Sequence, residues 1–430
     1  MKIMKMEINK QLEELNKQFK KLGKKLYVVG GYTRDYLLGE KSLDIDICSS
    51  MTPTEIKDKI KDFDVEIYNN KAGSTHISKD GITFEHTTFR IDYYHDNGEH
   101  TPYMVEFTDD IYTDSFRRDF SINSIYYDIQ SDEFIDFYNG INDIKERKIK
   151  TIVSPDYVFG NDGLRLLRMV RFACQLNFSI DEETFNGARR YIYQLADITP
   201  KRISDEILKI LSYDNKFKGI KYLIDLEGFK YIFSGINTLP LTKKIDELLT
   251  GYNFKYLTEK TDKDMVVTMF LIEIIKLCYS NIYDKNVTLN GITDFILNKD
   301  CFVVSSSVKE KVTQTLMFFE EYKDLKDENE KKAIILDYSK YLKEILYLSQ
   351  IDLDNIEVYD IVNRLKNKNI ALELSDFCLK NSDMISLGLK GKNISIALND
   401  MFLYSVVYEI NDKEILVKVL EKLIKERKYG

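Results

Sequence analysis

The chain has 430 residues, 44% of them hydrophobic and 31% charged, a balance that excludes wholesale disorder and leaves room for roughly two to four domains. A formal net charge of −8 excludes a uniformly basic nucleic-acid glove but not a local phosphate-binding patch. No uninterrupted run of ~18 apolar residues is present, so no transmembrane helix is expected, and the opening Met1-Lys-Ile-Met-Lys-Met-Glu lacks the apolar core of a signal peptide.

Five scattered cysteines (Cys48, Cys174, Cys278, Cys301, Cys378) suit a reducing compartment and give no zinc spacing, so the expected address is cytoplasmic. The four histidines, His76, His86, His95 and His100, all lie within the first hundred positions. Residues 101–430 therefore cannot form a helical phosphohydrolase domain built on histidine ligands.

In chain order, Ile8, Leu12, Leu15, Phe19 and Leu22 repeat at helical spacing, and Gly23 is placed to end that helix. A strand follows to Val29, the chain turns at Gly30-Gly31, and a helix runs through Leu38 to Gly39. The next strand, Leu43-Asp-Ile-Asp-Ile, carries Asp44 and Asp46. Residues i and i+2 of a strand share a face, so the two carboxylates are expected to project together while Leu43, Ile45 and Ile47 face a core. Such a pair repels itself unless a cation sits between its members. Hard oxygen ligands suit Mg²⁺, and two ions ~3.5–4 Å apart can clamp both oxygens of a phosphoryl displacement. Upstream, Gly30 and Gly31 let backbone N–H groups approach a phosphate at a helix N-terminus, and Arg34 adds a charged donor.

Strand-like segments continue to Ser124-Ile-Tyr-Tyr-Asp-Ile. The stretch Arg90 to Pro102 is polar, aromatic and glycine-containing, as a mobile loop is. All five prolines precede residue 241, and Leu/Ile/Lys/Glu-rich stretches follow. The expected fold is thus an α+β head followed by an all-α remainder, with the change near Pro155. The last helix, Lys413 to Lys428, stacks Ile415, Val419 and Leu423 on one side, with a basic character from Lys418, Lys422 and Lys425.

Several blocks in order resemble the class II tRNA nucleotidyltransferases (CCA-adding enzymes) and their bacterial poly(A) polymerase relatives. They are Val29-Gly-Gly-Tyr-Thr-Arg-Asp, Leu43-Asp-Ile-Asp-Ile, Phe84-Glu-His-Thr-Thr-Phe-Arg and Arg117-Arg-Asp-Phe-Ser-Ile-Asn. Asp136-Phe-Tyr-Asn-Gly, Asn161-Asp-Gly-Leu-Arg and Lys201-Arg-Ile-Ser-Asp-Glu complete the set. The resemblance covers roughly residues 25–212. It implies a nucleotidyltransferase head with a small mixed sheet (1–155), a helical neck with a base template (156–215) and a helical tRNA-binding body and tail (216–430).

By the same resemblance, Asp44 and Asp46 hold catalytic Mg²⁺, two ions in all, with Glu85 as a third catalytic acid. Arg118, Asp119 and Asn123 meet the ribose and triphosphate. Asp162 and Arg165, three apart on one helical face, serve as a protein template for the base. Arg168 and Arg171 continue that helix as a basic row, open between phosphate contact and a solvated surface. Lys201-Arg202 and Glu206 are read as helix packing. The family's Glu-Asp-Pro reads Asn161-Asp162-Gly163 here, and its Gly-Gly turn reads Asn139-Gly140, tolerable because Asn accepts left-handed geometry.

The implied activity is template-independent addition of C and A to tRNA 3′ ends from CTP and ATP. A poly(A) polymerase, an A-only or CC-only enzyme, and a catalytically silent RNA-binding module are the alternatives. No membrane partner is expected, and monomer and homodimer both stay open.

Overall fold

The computed structural model describes residues 6–42, 44–94, 102–233, 262–280, 288–297, 301–351, 356–426 and 428–429. The chain forms two compact units, Met1–Asn253 with Lys299–Val303, and Phe254–Asn298 with Val304–Gly430. The first unit holds both the sheet and the helices of 156–215.

Helix α1, Lys10–Lys21, is capped by Asn9, whose side chain accepts from the Leu12 backbone N–H, and Gly23 turns the chain at φ +71°. Strand β1 (Tyr27–Val28) leads through Gly30 into α2 (Gly31–Leu38), which ends on a left-handed Gly39. Strand β2 is Ile45–Ser49, so Asp44 lies just ahead of the strand and only Asp46 is inside it. Leu43, expected to face a core, lies outside the described residues.

Five more strands build the sheet: β3 (Asp64–Asn69), β4 (Ser74–Lys79), β5 (Ile82–Thr88), β8 (Ile125–Asp128) and β9 (Glu133–Asp136). The seven run in the order β3-β4-β5-β2-β1-β8-β9, with β2 and β5 parallel and the other pairs antiparallel. Alternation along β2 sorts its residues between two faces. Ile45 and Ile47 join Val28, Phe84 and the α1 residues Leu12, Leu15 and Phe19 in one buried cluster. Cys48 packs on the other face with Tyr27, Val29 and Tyr126. Asp46 shares that second face.

A separate ribbon pairs β6 (Arg90–Tyr93) with β7 (Met104–Phe107), register Arg90↔Phe107 to Tyr93↔Met104. The loop expected from Arg90 onward is therefore a strand at its base. The period-2 pattern of Arg-Ile-Asp-Tyr was masked by its polar neighbours; residues 95–101 lie outside the described set. Among the described residues the sheet unit continues with helices α3 (Pro53–Lys59), α4 (Ile111–Ser115), α5 (Gly140–Glu146), α6 (Pro155–Asn161), α7 (Leu164–Gln175), α8 (Glu182–Tyr191), α9 (Pro200–Ser212), α10 (Lys216–Asp225) and α11 (Phe229–Ile232). Asn139 takes φ +61° before α5, the left-handed geometry its amide tolerates.

Among the described residues the regular elements of the second unit are all helices, from Lys263–Ser280 to Lys413–Lys425. On the last helix the buried residues are Leu416 and Leu420, while Ile415 is 46% exposed. The apolar seam is thus displaced from the expected Ile415/Val419/Leu423 row, of which Val419 and Leu423 only flank the core. Glu409, left-handed at the end of helix Lys392–Tyr408, faces Lys332 Nζ at 2.7 Å and Arg364 Nε at 3.1 Å, with Lys368 as a third partner. Lys332, then Lys368, hold its carboxyl down at about 2, against the desolvation that would raise it.

Two outcomes follow for stability. A Cβ at Gly140 would stand 2.2 Å from the Ser121 carbonyl oxygen, so Gly140→Ala should cost about 1–3 kcal/mol in urea unfolding. Glu409's contribution is present above its ordinary value near 4.5 and is lost as pH falls towards about 2. Glu409→Gln should therefore lower the melting temperature at pH 7 and flatten its decline across that acid window.

Candidate active site

A cavity of about 570 Å³ opens in the first unit between the Gly30 turn, the start of β2, the β6 ribbon, the segment 117–123 and the helices α7 and α9. Eight arginines and six aspartates line it, which suits a polyanion that also needs a cation. Asp44, Asp46, Gly30, Gly31, Arg34, Arg118, Asp119, Asn123, Asp162, Arg165, Arg168 and Arg171 all contribute to the lining. Of the residues predicted from sequence, Glu85 alone does not.

The turn between β1 and α2 sets the acid end. Val29 N–H donates to the Asp46 carbonyl at 3.0 Å, which holds the turn against β2. Gly30 takes φ +79°, and a Cβ there would come within 2.7 Å of Asp46 Oδ2. Only glycine permits both the backbone and the close approach. Thr33 Oγ1 donates to the Gly30 carbonyl at 2.9 Å and fixes the start of α2. Asp46 is raised to about 6, chiefly by burial, then by the Glu85 carboxylate opposite it on β5 and by Asp44, with Arg118 and Arg34 opposing. Neither Asp44 nor Asp46 has an ion pair or side-chain hydrogen bond among the described residues. Mutually repelling oxygen donors of this kind fit a hard divalent cation. Glu85, the register partner of Asp46 on β5, adds its charge to that repulsion.

Arg34 is 3% exposed and donates Nε to Asp35 Oδ1 and Nη1 to Asn123 Oδ1, both at 2.8 Å. That contact fixes the Asn123 amide and leaves its Nδ2 buried without a partner among the described residues. Behind Arg118 lies a residue that sequence reasoning missed. Asp114, fully buried, accepts from Arg117 Nε at 2.7 Å, Tyr126 Oη at 2.9 Å, Arg118 Nη2 at 3.4 Å and the Arg90 backbone N–H at 3.1 Å. Burial would raise its carboxyl, but Arg117 and Arg118 hold it below the usual range. One carboxylate thus orients two arginines and anchors the β6 ribbon. Its sequence signal was its place three residues before Arg117, the spacing of an i,i+3 pair.

At the other end of the cavity the expectation of one helical face needs correction. Asp162 is extended (φ −151°, ψ 103°) and ends α6, while Arg165 lies in the first turn of α7. Asp162 Oδ1 accepts from Leu164 N–H at 2.9 Å, and its carboxylate stands 4.0 Å from Arg165 Nε. Arg165 spans to the Val158 carbonyl at 3.2 Å and the Arg117 carbonyl at 2.8 Å, which locks its fork. Gly163 sits at φ −63°, the angle a proline ring imposes, so this departure from the family pattern preserves the break. Arg168 grips Asp119 Oδ2 through Nε at 2.8 Å and Nη2 at 2.6 Å; burial would raise Asp119, and Arg168 holds it low. Arg171 pairs with Glu206 at 2.6 Å and lies 4.1 Å over the Phe172 ring, with Arg34 and Arg168 also over that ring.

Other lining residues escaped the sequence reading, among them Asp92, which pairs with Arg90 at 2.8 Å, Tyr94, Phe172 and Gln175. Of the three histidines near this region, His86 is buried against Ser49 Oγ at 2.8 Å, and His95 and His100 lie outside the described residues.

Residues 26–150 match the family described as the Poly A polymerase head domain, and residues 177–239 match a probable RNA and SrmB-binding site of polymerase A. The chain is 35% identical over 234 residues to the CCA-adding enzyme of Lactococcus lactis subsp. cremoris (strain MG1363), a match covering 53% of this chain and 56% of that protein. It is 29% identical over 411 residues to the CCA-adding enzyme of Ligilactobacillus salivarius (strain UCC118), covering 93% of each. The chain thus spans little more than half the length of the first relative. Among solved structures, the Bacillus stearothermophilus CCA-adding enzyme in complex with CTP superposes with a TM-score of 0.66 at 20% identity, over 98% of this chain and 100% of that one. The Thermotoga maritima CCA-adding enzyme complexed with tRNA gives 0.65 at 20% identity, over 97% and 96%. These two share the fold: a mixed-sheet head with helices followed by an all-helical region. The ordered blocks, the head match over residues 26–150 and the shared fold converge: the chain is similar to the CCA-adding enzymes and carries a match to the Poly A polymerase head domain.

Proposed function

We propose that this chain adds C and A to the 3′ end of tRNA, using CTP and ATP and two Mg²⁺ ions, in the cytoplasm. The observation that carries the reading is one cavity with two unpaired carboxylates against a glycine turn and an Asp/Arg pair at its other end. The relatives that support it are CCA-adding enzymes, including one solved with CTP and one with tRNA. Among the described residues no helix is long and apolar enough to cross a membrane.

In the proposed reaction the primer's 3′-oxygen bonds to the α-phosphorus of the nucleotide as the bond to the pyrophosphate oxygen breaks. Asp44 and Asp46 hold the divalent cations, which when bound neutralise charge on the phosphates and lower the hydroxyl's pKa. Arg34, Arg118 and the free amide N–H of Asn123 orient the triphosphate, and Asp119, held by Arg168, accepts from a ribose hydroxyl. Asp162 accepts the amino hydrogen shared by cytosine and adenine, and Arg165 donates to the neighbouring ring acceptor. Uracil and guanine place a carbonyl where the carboxylate needs a donor, so a buried mismatch discriminates against them.

Asp44→Ala and Asp46→Ala should each lower incorporation on the order of 10²–10³-fold or more with the melting temperature unchanged; near-normal turnover in either would refute the site. Gly30→Ala should also lower incorporation, here with a lowered melting temperature because its Cβ meets Asp46 Oδ2 at positive φ, and a lowered affinity for CTP measured without turnover would show the turn itself at fault. Incubating tRNA transcripts that lack CCA, CC or A with labelled CTP or ATP, then sizing the products, separates the activities. Completion to CCA is expected. Long A tails would identify a poly(A) polymerase, addition of CC alone or A alone a partial enzyme, and no pyrophosphate with any primer a silent RNA-binding module.

A further inference from the structure

Seven of the eight cavity arginines are paired with a carboxylate within 4.0 Å: Arg34, Arg90, Arg117, Arg118, Arg165, Arg168 and Arg171. Arg202 is the exception; among the described residues it has neither an ion pair nor a hydrogen bond from its side chain. Its own helix explains why. An arginine in the first turn of α9 would ordinarily pair with an acid three or four residues on. Asp205 is taken by Lys201 at 2.7 Å, and Glu206 by Arg171 at 2.6 Å and Lys209 at 3.1 Å. Both candidate partners are engaged, and Arg202 is left half-buried at the cavity wall with its charge uncompensated.

The packing of α9 on α7 locates it. Glu206 meets Arg171, and one turn later the Ile210 carbonyl accepts from Cys174 Sγ. Arg202, one turn earlier, is therefore level with Arg168, beside the Asp119 pair. In the proposed reaction that level holds sugar and phosphate, between the base end at Asp162–Arg165 and the acids at Asp44–Asp46.

We propose that Arg202 is a phosphate-binding residue of this cavity, with its guanidinium kept free to take up a substrate phosphate. The inference rests on the nucleotidyltransferase reading of the site. It replaces the packing role that the Lys201-Arg202 block suggested in the sequence. The phosphate has two possible sources: the incoming nucleotide, or the last phosphodiester of the RNA primer whose 3′-hydroxyl must reach the same level. Arginine meets either through the same forked, charge-assisted hydrogen bonds.

The test uses the full-length chain with Arg202→Ala and Arg202→Lys. Dissociation constants for CTP and for a tRNA transcript lacking CCA are measured without turnover, and KM and kcat for each are measured with it. In Arg202→Ala one of the two dissociation constants should weaken about tenfold. KM for that substrate should rise with it, kcat should change less, and Arg202→Lys should recover part of the loss. A weaker CTP constant assigns the nucleotide's phosphate. A weaker tRNA constant with a salt slope shallower by about one assigns the primer's phosphodiester. Both constants within about twofold of wild type, or a lowered melting temperature in both variants with no selective binding loss, would overturn the proposal. If the unmutated chain binds neither substrate, the proposed function fails instead, and that result is distinct from an unaffected variant of an active protein.

Discussion

The close approach of the Gly30 turn to the Asp46 carboxylate is the contact on which the cavity depends. The β1–β2 ladder brings the Val29 N–H to the Asp46 carbonyl, and the missing side chain at residue 30 lets Asp46 Oδ2 lie where a Cβ would be. The same turn starts α2, which delivers Arg34 and, through it, the orientation of Asn123. A bulkier residue at 30 would displace the carboxylate, the helix start and the arginine together. The Ile45/Ile47 face fixes the register from behind, because a one-residue slip of β2 would bury Asp46 against α1.

The second constraint is electrostatic. Many guanidiniums around one cavity would repel each other strongly, and most of these are already matched by carboxylates from α4, α9 or the segment that follows α4. Their charge is thereby reduced while their hydrogen-bonding forks stay aimed, as preorganisation for a polyanion requires. The exceptions are informative. Among the described residues Asp44 and Asp46 form no ion pair, and Glu85 beside Asp46 on β5 adds to the repulsion. An unpaired carboxylate cluster is stable only with a proton or a cation, and an unpaired arginine level with Arg168 has an anion as its natural counterpart.

What could be read from the sequence follows a physical pattern. Elements bounded by local chemistry were legible: α1 by its apolar repeat and Gly23, α2 by Gly30 and Gly39, and the α+β to all-α change by the end of the β-rich segments. The acids and the Asp162/Arg165 pair were legible as type and spacing. Their backbone setting was not, because Asp162 ends one helix and Arg165 begins the next, with Gly163 between them. The β6 ribbon was hidden by loop-like neighbours, and its place is fixed by the Arg90 N–H on Asp114, a partner 24 residues away. Asp114 was missed, and Arg202 was read as helix packing, for one reason. A buried hub and an unpaired cation are defined by what surrounds them in space, and a linear motif records only what lies beside them in the chain.

The break at 161–163 gains its meaning from this setting. A continuous helix through Asp162 would place its carboxylate and Arg165 side by side as a surface i,i+3 pair, free to saturate each other. The extended Asp162 instead holds its carboxylate with the Leu164 N–H, 4.0 Å from Arg165, while Arg165 is pinned by two backbone carbonyls. Each group is held by backbone partners as well as by the other. One of those carbonyls belongs to Arg117, whose guanidinium is held by Asp114. The base end and the arginine cluster of the head therefore share a single hydrogen-bonded path, and a shift of α7 against the sheet would disturb both at once.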